Sequence, residues 1–374
     1  MGRAPWGLAI ALVALTSAAV LSAPAEPIVS NDPGSPRGFT IEMLDGMDSL
    51  PGELRALPEV VSPAENPMTP GKVELGRRLF FDRRLSLDRS TSCATCHDPA
   101  KGYADGLPRA IGFGGRELDR HSPTVLNAVY NGIQFWDGRV DSLEKQAVAP
   151  ILAECEMNMG NEPLLVDRLL ADDGYVEAFR GVFGSPPSLE LVGKAIACFE
   201  RTLVTPDAPF DLYARGDKDA LSDAQKRGLI LFFGKASCTN CHLGVNFTDD
   251  RFHNLAVPSI GPGTGDLGRA EVTGDPEHEG QFKTPTLRNV ELTAPYMHNG
   301  FHTTLEEVVR FYNDGGGEHP NKSDLLPELF LTDEEVTDLV EFMKSLTGKQ
   351  PVVAIPVEGG DGGTDSGESR TASR

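Results

Sequence analysis

The sequence predicts an all-α protein built from two small similar units with long irregular loops. Three observations carry that prediction. The pentapeptide Cys-x-x-Cys-His occurs twice, as Cys93-Ala94-Thr95-Cys96-His97 and as Cys238-Thr239-Asn240-Cys241-His242. A similar apolar segment precedes each copy, Gly76-Arg77-Arg78-Leu79-Phe80-Phe81 and Gly228-Leu229-Ile230-Leu231-Phe232-Phe233. Apolar residues recur at helical spacing, while alternating strand patterns are scarce.

The pentapeptide is the attachment site of a c-type haem. Two thiols join the haem covalently, and the following histidine becomes the proximal iron ligand. The covalent positions are therefore Cys93, Cys96, Cys238 and Cys241, and the iron ligands His97 and His242. A zinc ribbon would place its cysteine pairs roughly 15–20 residues apart, far closer than Cys96 and Cys238. A thioredoxin-like dithiol needs neither the following histidine nor a second copy.

Taken in order, the chain opens with Arg3, an apolar run from Gly7 to Leu21 and the small residues Ala23-Pro24-Ala25, the pattern of a secretory signal over 1–25. The run is shorter than the roughly 20 residues of a spanning helix. Export to the periplasm is expected, with no membrane span after cleavage. An N-terminal extension over 26–70 follows, then a first haem domain over 71–215 and a second over 216–349. In each haem domain an amphipathic helix ends in Leu-Phe-Phe or its like and a short loop leads into Ser-Cys, the way a small cytochrome begins. Between them, Ser188 to Val204 carries Leu189, Val192, Ile196, Phe199 and Leu203 near a 3.6-residue period. Val257 to Glu279 is rich in Gly, Pro and charge and predicts a long loop. Thr304-x-x-Glu307 and Thr332-x-x-Glu335 are capping boxes that start two late helices, and Gly348 suits the stop of the last. The tail, 350–374, ends in a Gly/Ser/Asp-rich stretch from about Val357 that predicts disorder.

The formal charge of −21 argues against nucleic acid and anionic lipid as partners. A basic electron-transfer partner would suit it, as would solubility alone.

The segments LFFDRRLS, SCATCH, SPTVLNAVYN, FWDGRVDSLEKQAVAPI, ECEM, FFGKASCTNCH, FKTPTLRNVELTAPYMHNG and TLEEVVRFYN stand in an order and spacing that resembles the bacterial di-haem cytochrome c peroxidase and MauG superfamily, from about Leu75 to Gly348. The resemblance implies two cytochrome c-like haem domains and two covalently bound haem c groups. It also implies that hydrogen peroxide meets the haem of His97 while the haem of His242 handles electrons. Glu156 then matches the carboxylate that moves the peroxide proton, a task that needs a base able to take a proton from one oxygen and return it to the other. Gln146 and Pro150 match other positions of that pocket, and Trp136 matches a tryptophan between the haems.

Two positions depart from ordinary members. A histidine that caps the reactive iron is expected sixteen residues after His97, where Phe113 stands, so this iron is expected to be open at rest. A methionine ligand of the second iron is expected where Tyr312 stands, on one face with Leu305, Val308 and Val309. A phenolate favours the oxidised metal, whereas methionine raises the potential. Both departures place the chain on the MauG-like branch. The resemblance further implies a calcium ion between the domains, with Thr293 and Pro295 at the carbonyl positions. His121 stands where an asparagine is expected, although Ca²⁺ takes oxygen ligands.

Cys155 and Cys198 are left over, free to pair or to remain thiols. The reading is an exported oxidoreductase that reacts with hydrogen peroxide and oxidises a redox partner, either a substrate protein, a cytochrome or a cupredoxin. The alternatives are a detoxifying peroxidase fed by a small electron-donor protein and a non-catalytic electron carrier.

Overall fold

A computed structural model describes residues 39–260 and 265–356. The expected signal, the first part of the extension and the tail from Val357 lie outside the described residues. Helices dominate, joined by long loops, and the one sheet among the described residues is a two-residue antiparallel pair, β1 (Phe252–His253) with β2 (Phe282–Lys283). No helix there is long and apolar enough to cross a membrane.

The first hydrophobic cluster is built on α1 (Pro70–Phe80), α2 (Leu143–Leu152), α3 (Glu162–Leu170), α4 (Asp173–Phe183) and α5 (Leu189–Glu200). Helix α1 starts where Pro70 follows Thr69, whose hydroxyl accepts from the Lys72 N–H at 3.3 Å. Its Leu75, Leu79 and Phe80 are buried against Val192, Ile196 and Phe199 of α5, the apolar stripe read from the sequence. The second cluster is built on α6 (Asp223–Phe233), α7 (Leu305–Asn313) and α8 (Asp333–Lys344). Both expected capping boxes are present. Glu307 N–H donates to Thr304 Oγ1 at 3.1 Å and Thr304 N–H to Glu307 Oε2 at 3.2 Å. Thr332 and Glu335 do the same at 3.3 and 2.8 Å.

The internal repeat has a packing cause. A Cβ on Gly76 would lie 1.9 Å from the Ala195 carbonyl oxygen of α5, and one on Gly228 would lie 2.0 Å from the Asp338 carbonyl oxygen of α8. Each glycine heads its repeat and lets the helix before a haem motif cross its partner with backbones touching.

Gly348 does not end the last helix. That helix stops at Lys344, and Gly348 lies beyond it with its N–H on Asn289 Oδ1 at 3.1 Å and no room for a Cβ beside Thr205. Packing and not helix termination requires the glycine.

The two ends of the described chain cross over the clusters. In the extension, Leu44 joins the second cluster, Asp45 receives Lys226 Nζ at 2.9 Å, and Asn66 then donates to the Lys194 carbonyl at 3.0 Å in the first. At the other end Val353 packs on the first cluster and the Ala354 carbonyl accepts from Arg77, so 350–356 is held although it was grouped with the tail. A buried pair, Arg288 with Asp211 at 2.9 Å, anchors the extension, because Asp211 also accepts the Leu57 N–H and Arg288 donates to the Val245 and Arg55 carbonyls.

Candidate functional site: two chambers sharing a wall

The first chamber, about 730 Å³, opens over His97. Cys93–Cys96 form one helical turn closed by a bond from Ser92 N–H to Thr95 Oγ1 at 3.0 Å, which aims both thiols and the next residue to one side. The imidazole of His97 is fixed by Nδ1 on the Tyr103 carbonyl at 3.2 Å. A carbonyl only accepts, so Nδ1 carries the hydrogen and Nε2 is left as a lone-pair donor. Burial lowers the His97 pKa, which keeps the ring neutral and fit for iron.

Gln146 and Pro150 on α2 and Glu156 just after it line the same chamber. Pro150 sits in the last turn of α2, where its missing N–H weakens the helix. The chain then folds back, with Glu156 N–H on the Ala153 carbonyl at 3.1 Å and Met157 N–H on the Pro150 carbonyl at 3.2 Å. That reversal presents Glu156 to the cavity. Phe113 is half-buried beside the same reversal, its N–H on the Cys155 carbonyl at 3.1 Å.

Burial raises the Glu156 pKa, and the Arg139 guanidinium, 3.5 Å away, opposes the shift. Arg139 also holds Asp137 at 2.8 Å, and Asp137 receives Arg120, which binds Asp266 at 2.6 Å. Glu156 thus stands at the end of a chain of alternating charges. Arg139 was missed in the sequence reading, although it is the last residue of the Trp-Asp-Gly-Arg turn already singled out. Its meeting with Glu156 depends on the reversal after α2. Glu200, at the end of α5, was missed as well. It lines the first chamber, its Oε2 is buried without a protein partner, and burial pushes its pKa up to about 8. Gln146 Oε1 is likewise buried without a partner. Two unsatisfied polar atoms on one chamber wall call for a bound group or water.

The second chamber, about 260 Å³, opens over His242. His242 repeats the device of His97, with Nδ1 on the Phe247 carbonyl at 3.0 Å and a pKa lowered by burial. Opposite stands α7, whose Leu305, Val308, Val309 and Tyr312 all line the cavity, the face expected from the sequence. Burial and the two motif thiols, Cys241 and Cys238, raise the Tyr312 pKa. Tyr312 and the two thiols line the same cavity, the space that a haem on those thiols would fill. Both chambers have the apolar walls, the paired thiols and the neutral imidazole that a c-type haem requires, so the residues present fit two such groups.

The chambers share a wall, and Trp136 lines both, together with His121, Phe135 and His298. Its indole N–H donates to the His121 carbonyl at 2.9 Å and its own carbonyl accepts the Lys283 N–H at 2.7 Å. His298 stacks on Phe282 with centroids 3.7 Å apart, and burial pushes its pKa down to about 4.

At the positions matched to calcium, His121 is buried, with Nδ1 donating to the Leu107 carbonyl at 2.7 Å and its ring beside the Thr293 backbone. Cys155 and Cys198 are separate thiols, Cys155 in the first chamber and Cys198 against Asn66 Oδ1 at 3.5 Å. One cluster of metal-ligating type occurs among the described residues, Cys241, Asp249 and His253. Cys241 belongs to a haem motif, which leaves only the His253–Asp249 pair at 3.1 Å.

Residues 70–219 match the family model described as di-haem cytochrome c peroxidase, and residues 226–347 match that of cytochrome c. The chain is 44% identical over 313 residues to the methylamine utilization protein MauG of Methylorubrum extorquens, covering 82% of this chain and 87% of that protein. It is 39% identical over 320 residues to the cytochrome c551 peroxidase of Pseudomonas aeruginosa, covering 83% and 88%. Among solved structures, a MauG-like protein associated with microbial copper homeostasis matches with a TM-score of 0.72 at 34% identity, covering 78% of this chain and 95% of that one.

Proposed function

Because the chain belongs to the di-haem cytochrome c peroxidase family and is a haem-dependent peroxidase-type oxidoreductase with two haem c groups, we propose that it works as a MauG-like enzyme exported to the periplasm. In this reading residues 71–215 form the peroxide-reactive domain and 216–349 the electron-transfer domain. The haem irons supply the redox change and the place where peroxide binds.

The protein's part is proton handling, orientation and separation of the two redox centres. Glu156, raised by burial yet steadied by Arg139, takes the peroxide proton and gives it back to the departing oxygen. Gln146 offers its amide from the same wall, and Pro150 sets the turn that brings Glu156 in. Trp136, pinned at both its indole N–H and its carbonyl, is the aromatic path between the chambers. Tyr312 and His242, which line the same cavity, would together hold the second iron. The Tyr312 phenol is held neutral by burial until a cation faces it. A phenolate there would favour the oxidised iron, which would suit a centre that passes oxidising equivalents to a partner protein.

The single observation that carries the reading is that Trp136 walls both chambers, joining a proton-handling pocket to one faced by a tyrosine. Electron paramagnetic resonance of the resting ferric protein tests it. One high-spin and one low-spin haem are expected, since Phe113 leaves the first iron open. Two low-spin haems would remove the open site. A detoxifying peroxidase fed by a small donor protein is the second reading, favoured by the likeness to the cytochrome c551 peroxidase. Rapid turnover with a reduced small cytochrome as sole donor would select it.

A further inference from the structure

We infer that the imidazole of His121 takes the place of a calcium ion between the two haem domains, so that this chain joins them without a metal. The inference does not depend on the proposed peroxide chemistry.

Calcium needs six to eight oxygen ligands at about 2.3–2.6 Å. The arrangement around His121 supplies a ring nitrogen where a side-chain oxygen would be required. The ring is also anchored by a hydrogen bond of its own. Nδ1 lies 2.7 Å from the Leu107 carbonyl and, because a carbonyl only accepts, Nδ1 donates to it. The ring lies against the backbone of Thr293, one of the two carbonyl positions that the family resemblance assigns to the ion. His121 is 4% exposed, so its ring fills the space it occupies.

The same residue performs the mechanical work of such an ion. Its N–H donates to the His298 carbonyl at 2.7 Å, which adds a backbone link to the later part of the chain. Its own carbonyl receives the Trp136 indole N–H at 2.9 Å. One side chain and its peptide groups therefore connect Leu107, His298 and Trp136 by hydrogen bonds, and the ring abuts Thr293. An unmade bond in such a buried wall is costly. His121 is in this sense a positioning residue for Trp136, held by covalent chain and not by an exchangeable ion.

Metal analysis of the full-length holoprotein after dialysis against EGTA is the first test. Well below one calcium per chain is expected, with melting temperature and haem absorption unchanged by either EGTA or added calcium chloride. Retention of one calcium per chain, or a fall in melting temperature on chelation, would overturn the inference. His121→Asn supplies the second arm, since the shorter amide restores an oxygen and vacates the ring's volume. The variant holoprotein should gain calcium, approaching one per chain, and a melting temperature that rises with calcium concentration. If the folded variant neither binds calcium nor responds to it, the imidazole is not what excludes the ion and the proposal fails. If the variant does not fold, the wild-type chelation result decides alone.

Discussion

The two haem-binding regions are alike on the proximal side and different on the distal side. Each has a glycine-crossed helix, a Cys-x-x-Cys-His turn and a histidine whose Nδ1 donates to a backbone carbonyl, at 3.2 Å for His97 and 3.0 Å for His242. Across from His97 stand a buried amide, a carboxylate with a guanidinium beside it and a second carboxyl whose Oε2 has no partner. Across from His242 stand three aliphatic side chains and one phenol. The shared halves suit an iron held by a neutral imidazole. On the proposed reading the other halves divide the labour, because proton transfer needs polar groups with movable protons, whereas storage of charge needs an anionic ligand in a dry wall.

The largest effect is expected at the polar distal wall. Glu156→Gln should slow reaction with peroxide by about 10²–10⁴-fold while haem content and resting spectrum stay as in the wild type. Stopped-flow rates within about twofold of wild type would remove Glu156 from proton transfer.

At the other distal wall Tyr312→Met should raise the potential of the second haem, by on the order of 0.1 V within the roughly 0.8 V that axial ligands span. The first haem should titrate as before. Overlaid redox titrations of the variant and the wild type would make Tyr312 a packing residue and erase the contrast drawn here.

The likeness of the proximal halves is open to attack through their glycines. Gly76→Ala and Gly228→Ala should each cost about 1–3 kcal/mol, seen as a lower melting temperature, because a Cβ would press on the Ala195 or Asp338 carbonyl. A neutral result at either site would mean that the two helix crossings are not equivalent.

The smallest effect concerns pH. Arg139 lowers the Glu156 pKa against a larger rise from burial. Glu156 acts as a base only when ionised, so Arg139→Ala should move the acid limb of the peroxide rate to higher pH. The plateau above it should change little. An acid limb that stays put would separate Arg139 from the active carboxylate.

Much of this was readable before any fold was known, where chemistry needs neighbours in the chain. Two thiols and a histidine must lie within one turn to grip one haem, and a capping box must close between residues three apart, as at Thr304 and Thr332. The face of Tyr312 followed from helical period alone. Gly348 was misread because a glycine after a helix has two uses, and only the proximity of Thr205 reveals which applies. The sequence by itself thus determined two haem attachments, the helical class and the motif, distal and Tyr312-face residues of the cavities. Tertiary structure alone decided that Arg139 meets Glu156, that Glu200 turns a lone carboxyl into the first chamber, that Gly76 and Gly228 are crossing points, and that His121 bridges Leu107 and His298. The physical reason is that each of these is a contact between segments far apart in the chain. Their energy comes from excluded volume, burial and charge at short range, none of which leaves a period or a spacing in the sequence.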